Sequence, residues 1–97
     1  MVDTSKKLHR NEARKLILQI VKTGIVRFST HGLKEMKLDG LTTNDVANVL
    51  AGGKIVEEGE FERGSWRYRV HTHTMCVVVM FPSDQALLVV TAWRKKK

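Results

Sequence analysis

Apolar positions recur at three and four residues in the first half of the chain and at every second residue in the second half. Between Leu8 and Thr23, Ala13, Leu16, Ile17, Ile20 and Val21 form one stripe, which predicts an amphipathic helix stopped by Gly24. Residues 1–7 are polar and expected to fray, with Thr4 or Ser5 available as a cap. Ile25 to Phe28 reads as a short extended run. Ser29 or Thr30 then caps a brief helix that carries Leu33 and Met36 and ends at Gly40. Thr42-Thr43-Asn44-Asp45 reads as a capping box with Asp45 in the place of the usual glutamate. It opens a third helix that buries Val46, Val49 and Leu50 and stops at Gly52-Gly53.

The second half predicts four strands: Lys54 to Glu62, Ser65 to Thr72, Met75 to Phe81 and Ala86 to Trp93. Arg63-Gly64 supplies a tight hairpin turn and Pro82 to Gln85 another. Helices followed by a strand meander predict an α+β fold, with the N-terminal helices packed on one face of an antiparallel sheet of four to five strands. The whole chain, 1–97, is expected to be one domain, since 97 residues with 42% hydrophobic content suffice for a single core.

Side chains alternate faces along a strand, so Trp66, Tyr68 and Val70 point one way and Arg67, Arg69 and His71 the other. If Arg63-Gly64 is the turn, Phe61 lies opposite Trp66, Glu60 opposite Arg67 and Glu58 opposite Arg69. Counting on through the later turns puts Val77, Val79, Phe81, Leu88 and Val90 on the aromatic face, which should carry the helices. The other face then gathers the cations with Cys76, Val78, Thr91 and Trp93. A one-residue bulge would invert part of this register.

Charge changes the picture. Seventeen Lys and Arg against 10 Asp and Glu give a formal charge of +7, a field that attracts polyanions. Lys7, Arg10, Arg14, Lys15 and Lys22 on the first helix read mainly as a solvated face. The single cysteine, Cys76, excludes an internal disulfide, and no apolar run approaches the ~20 residues of a bilayer span. The expected location is the cytoplasm, and no membrane partner is expected.

The main functional constellation is Arg67, Arg69 and His71, joined by His31, His73 and Arg94. Guanidinium groups hold phosphate oxygens in pairs, and imidazole moves protons near neutrality. Together they suit a metal-independent ribonuclease, in which a base takes the ribose 2′-hydroxyl proton, the oxygen attacks its own phosphate, and cations stabilise the phosphorane. Trp93 offers a ring on which a base could stack, although a tryptophan on a sheet face more often serves packing, and Lys95 belongs to the basic end counted with the RNA-binding residues. A competing reading comes from the same register: Glu58 and Glu60 opposite Arg69 and Arg67 make a charge ladder worth a few tenths to about 1 kcal/mol per pair. His71-x-His73 with Cys76 or His31 gives only a weak zinc pattern, and Cys76, within an apolar run, reads as a small hydrophobe rather than a nucleophile. No metal and no cofactor are expected.

Phe28-Ser29-Thr30-His31, a short helix ending in Gly40-Leu41-Thr42, Val46 to Gly53, the Gly64 to Val70 strand, Val77 to Val79 and a closing Val90-Thr91 resemble a family of small bacterial domains of unknown function. That family is similar to the BrnT and RelE type toxins. The likeness runs from Val26 to Arg94. It implies a RelE-like helix-and-sheet fold, cleavage of mRNA that is free or on the ribosome, and pairing with a cognate antitoxin protein. His31 matches the family's signature histidine, and Arg67 or Arg69 its basic strand position. Glu35 and Asp39 stand where the family usually shows arginines, reversing the charge at both places.

The resulting expectation is a type II toxin acting as a metal-independent mRNA endoribonuclease. His31, Arg67, Arg69 and His71 would be catalytic, and His73, Trp93, Arg94 and Lys95 would bind RNA. Its alternative is a non-catalytic module that holds RNA or an acidic protein on the same basic face.

Overall fold

The computed structural model describes residues 2–95. Helix α1 spans Arg10–Thr23, and its cap is His9 rather than Thr4 or Ser5: His9 Nδ1 accepts the Asn11 N–H at 3.1 Å, and Glu12 reaches back to the His9 N–H. The end of the segment expected to fray is tied to the sheet side: Lys7 meets Glu58 at 2.6 Å, and the buried Leu8 after it donates its N–H to the Tyr68 hydroxyl at 2.9 Å. Strand β1 (Ile25–Phe28) follows Gly24, and helix α2 (Thr30–Leu38) is capped by Ser29, whose Oγ accepts the Gly32 N–H at 2.8 Å. Helix α3 (Thr43–Gly52) opens on the expected Thr42 and Asp45 box.

Strands β2 (Glu60–Glu62), β3 (Ser65–His71), β4 (Met75–Ser83) and β5 (Ala86–Arg94) form the meander. Both turn residues of the first hairpin have positive φ, Arg63 at 51° and Gly64 at 83°, as a two-residue turn with the right twist requires. The first strand is much shorter than Lys54 to Glu62. Gly59 lies against the Tyr68 ring, where a Cβ would sit 2.7 Å from Cε1, and upstream of it only Lys54 bridges to His71.

The sheet order is β1-β5-β4-β3-β2. It is a mixed sheet, not the purely antiparallel one expected, because β1 pairs parallel with β5, Ile25 opposite Ala86 through Phe28 opposite Val89. After β1 the chain makes α2, α3 and the whole meander before it returns beside its starting strand. Where β1 ends, α2 takes over the β5 edge: the Ser29 hydroxyl donates to the Val90 carbonyl at 2.9 Å, and Asp39 Oδ2 accepts the Arg94 N–H at 2.9 Å. Gly32 makes this approach possible, since a Cβ there would lie 2.8 Å from the Val89 oxygen. The edge is thereby closed to strand pairing.

A second correction concerns β5. Val78 pairs with Thr91 but Val79 with Val89, so Val90 is an extra residue. This bulge sends Leu87, Val89 and Ala92 into the core and leaves Leu88 and Val90 on the opposite face, contrary to the uninterrupted register count. Val77, Val79 and Phe81 are on the core side as expected. There they meet Leu16, Ile17 and Ile20 of α1 and Val46, Val49 and Leu50 of α3. Among the described residues no helix is long and apolar enough to cross a membrane.

Candidate nucleic-acid interface

With α1 and α3 on one face, the pleat of β3 puts Tyr68 and Val70 under them and Arg67 and Arg69 on the open side. The neighbouring positions on that side are apolar: Arg67 lies opposite Met80 and Arg69 opposite Val78, and Val78 opposite Thr91. The result is an open basin of about 830 Å³. Its floor is Val78, Met80, Leu88, Val90 and Trp93. Arg63, Arg67 and Arg69 line one side, and His31 and Ser29, at the start of α2, line the other. The β5 bulge supplies Val90 to that floor, which the sequence count had assigned to the core.

The cations are unequally compensated. Glu60 stands opposite Arg67 in the hairpin, yet its Oε1 lies 3.6 Å from Arg69 Nε. Glu58, expected opposite Arg69, is taken by Lys7, whose ammonium holds its carboxyl below the usual range. Among the described residues no carboxylate pairs with Arg67, whose Nε donates to Ser65 Oγ at 3.4 Å. Neither expected rung of the charge ladder forms; one diagonal pair, Glu60 with Arg69, takes its place, and being exposed it is worth at most about 1 kcal/mol.

His71 is on the same face as the arginines but does not line the basin. Its Nε2 lies 2.7 Å from Glu57 Oε1, its side chain is 17% exposed, and its buried Nδ1 has no partner among the described residues. Burial pushes the Glu57 carboxyl up, but the hydrogen bond from His71, backbone bonding and the nearby charges of His71 and Arg69 outweigh it and hold that carboxyl below its ordinary range. The expected trio is thus split into two arginines in the basin and a histidine walled off by Glu57. His71 instead lines a separate depression of about 470 Å³ with Lys54, His73 and Lys95.

The remaining candidates divide in the same way. Trp93 is half-buried in the basin floor. Arg94 lies outside it: Nε donates to the Asp39 carbonyl at 3.0 Å and Nη2 to that of Gly40 at 3.4 Å, closing the α2 C-terminus. Asp39 also accepts the Arg94 N–H, and Glu35 lies 3.8 Å from His31, so both acidic residues have partners. Among the described residues no three His, Cys, Asp or Glu side chains converge to hold a metal ion.

Cys76 is fully buried opposite Trp93, and burial pushes its thiol from 9.0 to about 11. At pH 8 its alkylation by iodoacetamide should therefore run at least ~100-fold slower than in the urea-unfolded chain, read as mass increase against time, because thiolate is the reactive form.

Sequence reasoning missed Glu57, Arg63, Met80, Leu88 and Val90. Arg63 carried a local signal as a turn residue at the mouth of the hairpin, and Met80 did so by alternation, two residues beyond Val78 on the same strand. Residues 28–94, from the last position of β1 to the end of β5, match the model of a family described as Domain of unknown function (DUF4258). No curated protein and no solved structure gives a significant match. The matched segment includes every basin residue named above and leaves out α1. The chain belongs to the DUF4258 family.

Proposed function

We propose that the open face binds single-stranded RNA and cleaves it without a metal, as a cytoplasmic toxin-type endoribonuclease with a RelE-like fold. The observation that carries this reading is the basin: an apolar floor with an indole, uncompensated guanidinium charge on one side and an accessible imidazole on the other. Bases need flat apolar contact and phosphates need fixed cations, and single strands present both together. Arg67 and Arg69 hold the phosphate, and His31 takes the 2′-hydroxyl proton. The 2′-oxygen forms its bond to phosphorus, the bond to the 5′-oxygen breaks, and that oxygen leaves with a proton from water. Glu35 Oε1 lies 3.8 Å from His31 Nε2, one helical turn further along α2. His71 is not a basin group in this scheme; it buttresses the β3 end through Glu57.

The resemblance to BrnT and RelE type toxins supports two further parts of the proposal. The RNA is mRNA, free or on the ribosome, and an antitoxin with an acidic segment covers the basin and neutralises the charges RNA needs. A second reading, a non-catalytic module for RNA or an acidic protein, is favoured by the position of His71: held by Glu57 outside the basin, it leaves His31 as the one histidine among the described residues of the basin lining.

One experiment separates them. Purified chain is incubated with RNA in EDTA, with and without ribosomes, and the products are sequenced and their ends typed. Fragments ending in 2′,3′-cyclic phosphate, blocked by a single 2′-deoxy substitution at the cleaved position, are the expected outcome. RNA that is retarded in a salt-sensitive way yet stays intact would establish the second reading instead.

A further inference from the structure

The depression beside His71 is chemically unlike the basin. Its seven lining residues include two lysines and two histidines and not one carboxylate, whereas Glu60 and Glu62 line the basin. Both lysines have anchored backbones. Lys54 exchanges hydrogen bonds with His71 in both directions, at 2.8 and 2.7 Å, and Lys95 donates its N–H to the Thr74 carbonyl at 2.7 Å. Lys95 Nζ donates to the Thr72 carbonyl at 3.0 Å, which fixes the ammonium and leaves it two more protons to give. Gly52, at the C-terminal end of α3, also lines the depression, but the carbonyls of that end are already engaged: Arg14 donates to the Leu50 and Ala51 oxygens at 2.7 and 2.9 Å. Among the described residues, the one carboxylate in contact with the lining is Glu57, 2.7 Å from His71 Nε2, which leaves two lysines against a single acid.

Position completes the picture. Arg67, Arg69 and His71 follow one another on β3, and at ~3.3 Å per residue the turn at Thr72 lies about 10 Å beyond Arg69. We propose that the Lys54, His73 and Lys95 depression is a second phosphate subsite, occupied by a downstream or upstream phosphate of the same RNA strand lying lengthwise along β3. This inference rests on the RNA reading of the basin. It makes the ligand an extended strand of several nucleotides rather than a short one, and it assigns affinity to one end of β3 and chemistry to the other.

Binding of the full chain to a 2′-O-methyl RNA of about ten nucleotides, which resists cleavage, and to a 2′-O-methyl dinucleotide is compared by fluorescence anisotropy, since single-strand sites run to roughly 4–16 nucleotides. Lys54→Ala/Lys95→Ala should weaken the longer RNA about tenfold, lower its salt slope by about 1 to 2, and leave the dinucleotide unchanged. Unaltered affinity and slope for the longer RNA, or equal loss for both ligands, would overturn the subsite. Inorganic phosphate, followed by NMR at the His71 and His73 rings, separates the two readings. Wild-type chain that takes no RNA but shows saturable phosphate shifts, abolished in the double variant, keeps the anion site and overturns RNA as its ligand. RNA binding without such shifts overturns the subsite and leaves the basin reading intact.

Discussion

Arg67→Ala is expected to lower RNA cleavage by about 10²- to 10³-fold in kcat/KM, the scale on which enzymes lose a preorganised donor to a developing oxyanion. Arg69→Ala should cost about tenfold, and the difference follows from their surroundings. Arg69 is 44% exposed at its side chain and shares its charge with Glu60 at 3.6 Å. Arg67 is half-buried beside Met80, with a serine hydroxyl and no carboxylate for company. A cation on an apolar floor is screened less, so its field on a phosphorane is stronger. Arg67→Lys should recover little, because an ammonium cannot grip two phosphate oxygens in the guanidinium's planar fork. Initial rates on a fluorogenic oligonucleotide test the series, with thermal unfolding as the control for folding. Equal losses at the two positions would remove the distinction drawn here, and full activity in Arg67→Ala would remove Arg67 from the chemistry.

Local signals foretold most of the elements and little of how they meet. The Thr42 and Asp45 box and the Arg63-Gly64 turn are decided within four residues, by side-chain oxygens aimed at nearby N–H groups and by positive φ. The parallel pairing of β1 with β5 is decided across some sixty positions of chain, where periodicity carries no information about neighbours. The β5 bulge is also silent in sequence, since Val89, Val90 and Thr91 read as an unbroken strand. One extra residue there moved Leu88 and Val90 from the expected core to the floor of the basin.

The candidate site was legible to the same depth. Alternation along β3 placed Arg67 and Arg69 away from the helices, and the register through the turn correctly set Glu60 against Arg67. It failed two residues further on, because β2 begins only at Glu60: Gly59 packs on the Tyr68 ring outside the strand, and Glu58 pairs with Lys7. The same departure brings Glu57 over His71, so a histidine that alternation had put with the arginines is engaged elsewhere. Asp39 and Glu35, which as sequence look like reversals of a basic pattern, have partners only visible in three dimensions: the Arg94 N–H and His31. Chemistry carried on one strand can be read from a period of two; chemistry assembled from a strand, a bulge and a helix start cannot.

Tyr68→Ala should destabilise the fold by about 3–5 kcal/mol, the range for deleting a large buried aromatic side chain. The ring is 1% exposed, tilts against Phe81 at 5.4 Å and fills the space that Gly59 leaves open, so its loss opens a cavity between β3 and the strap before β2. Tyr68→Phe isolates the hydroxyl. It keeps the packing but strands the Leu8 N–H, which the phenol oxygen accepts at 2.9 Å, and should cost about 1–3 kcal/mol. For a chain of this length that corresponds to a fall in Tm of roughly 4–8 °C per kcal/mol. The hydroxyl also sets an alkaline limit. Burial raises its pKa above the ordinary 10.0, with the Leu8 hydrogen bond pulling the other way, so the folded state holds the phenol proton more tightly than the unfolded chain does. Stability from the neutral phenol is therefore complete below pH 10 and lost as pH rises through the folded value. Urea melts at pH 7 and above pH 10 check both parts: the wild-type chain should lose more stability between the two conditions than Tyr68→Phe does. An equal loss would mean that ionisation of the Tyr68 phenol does not set the alkaline limit.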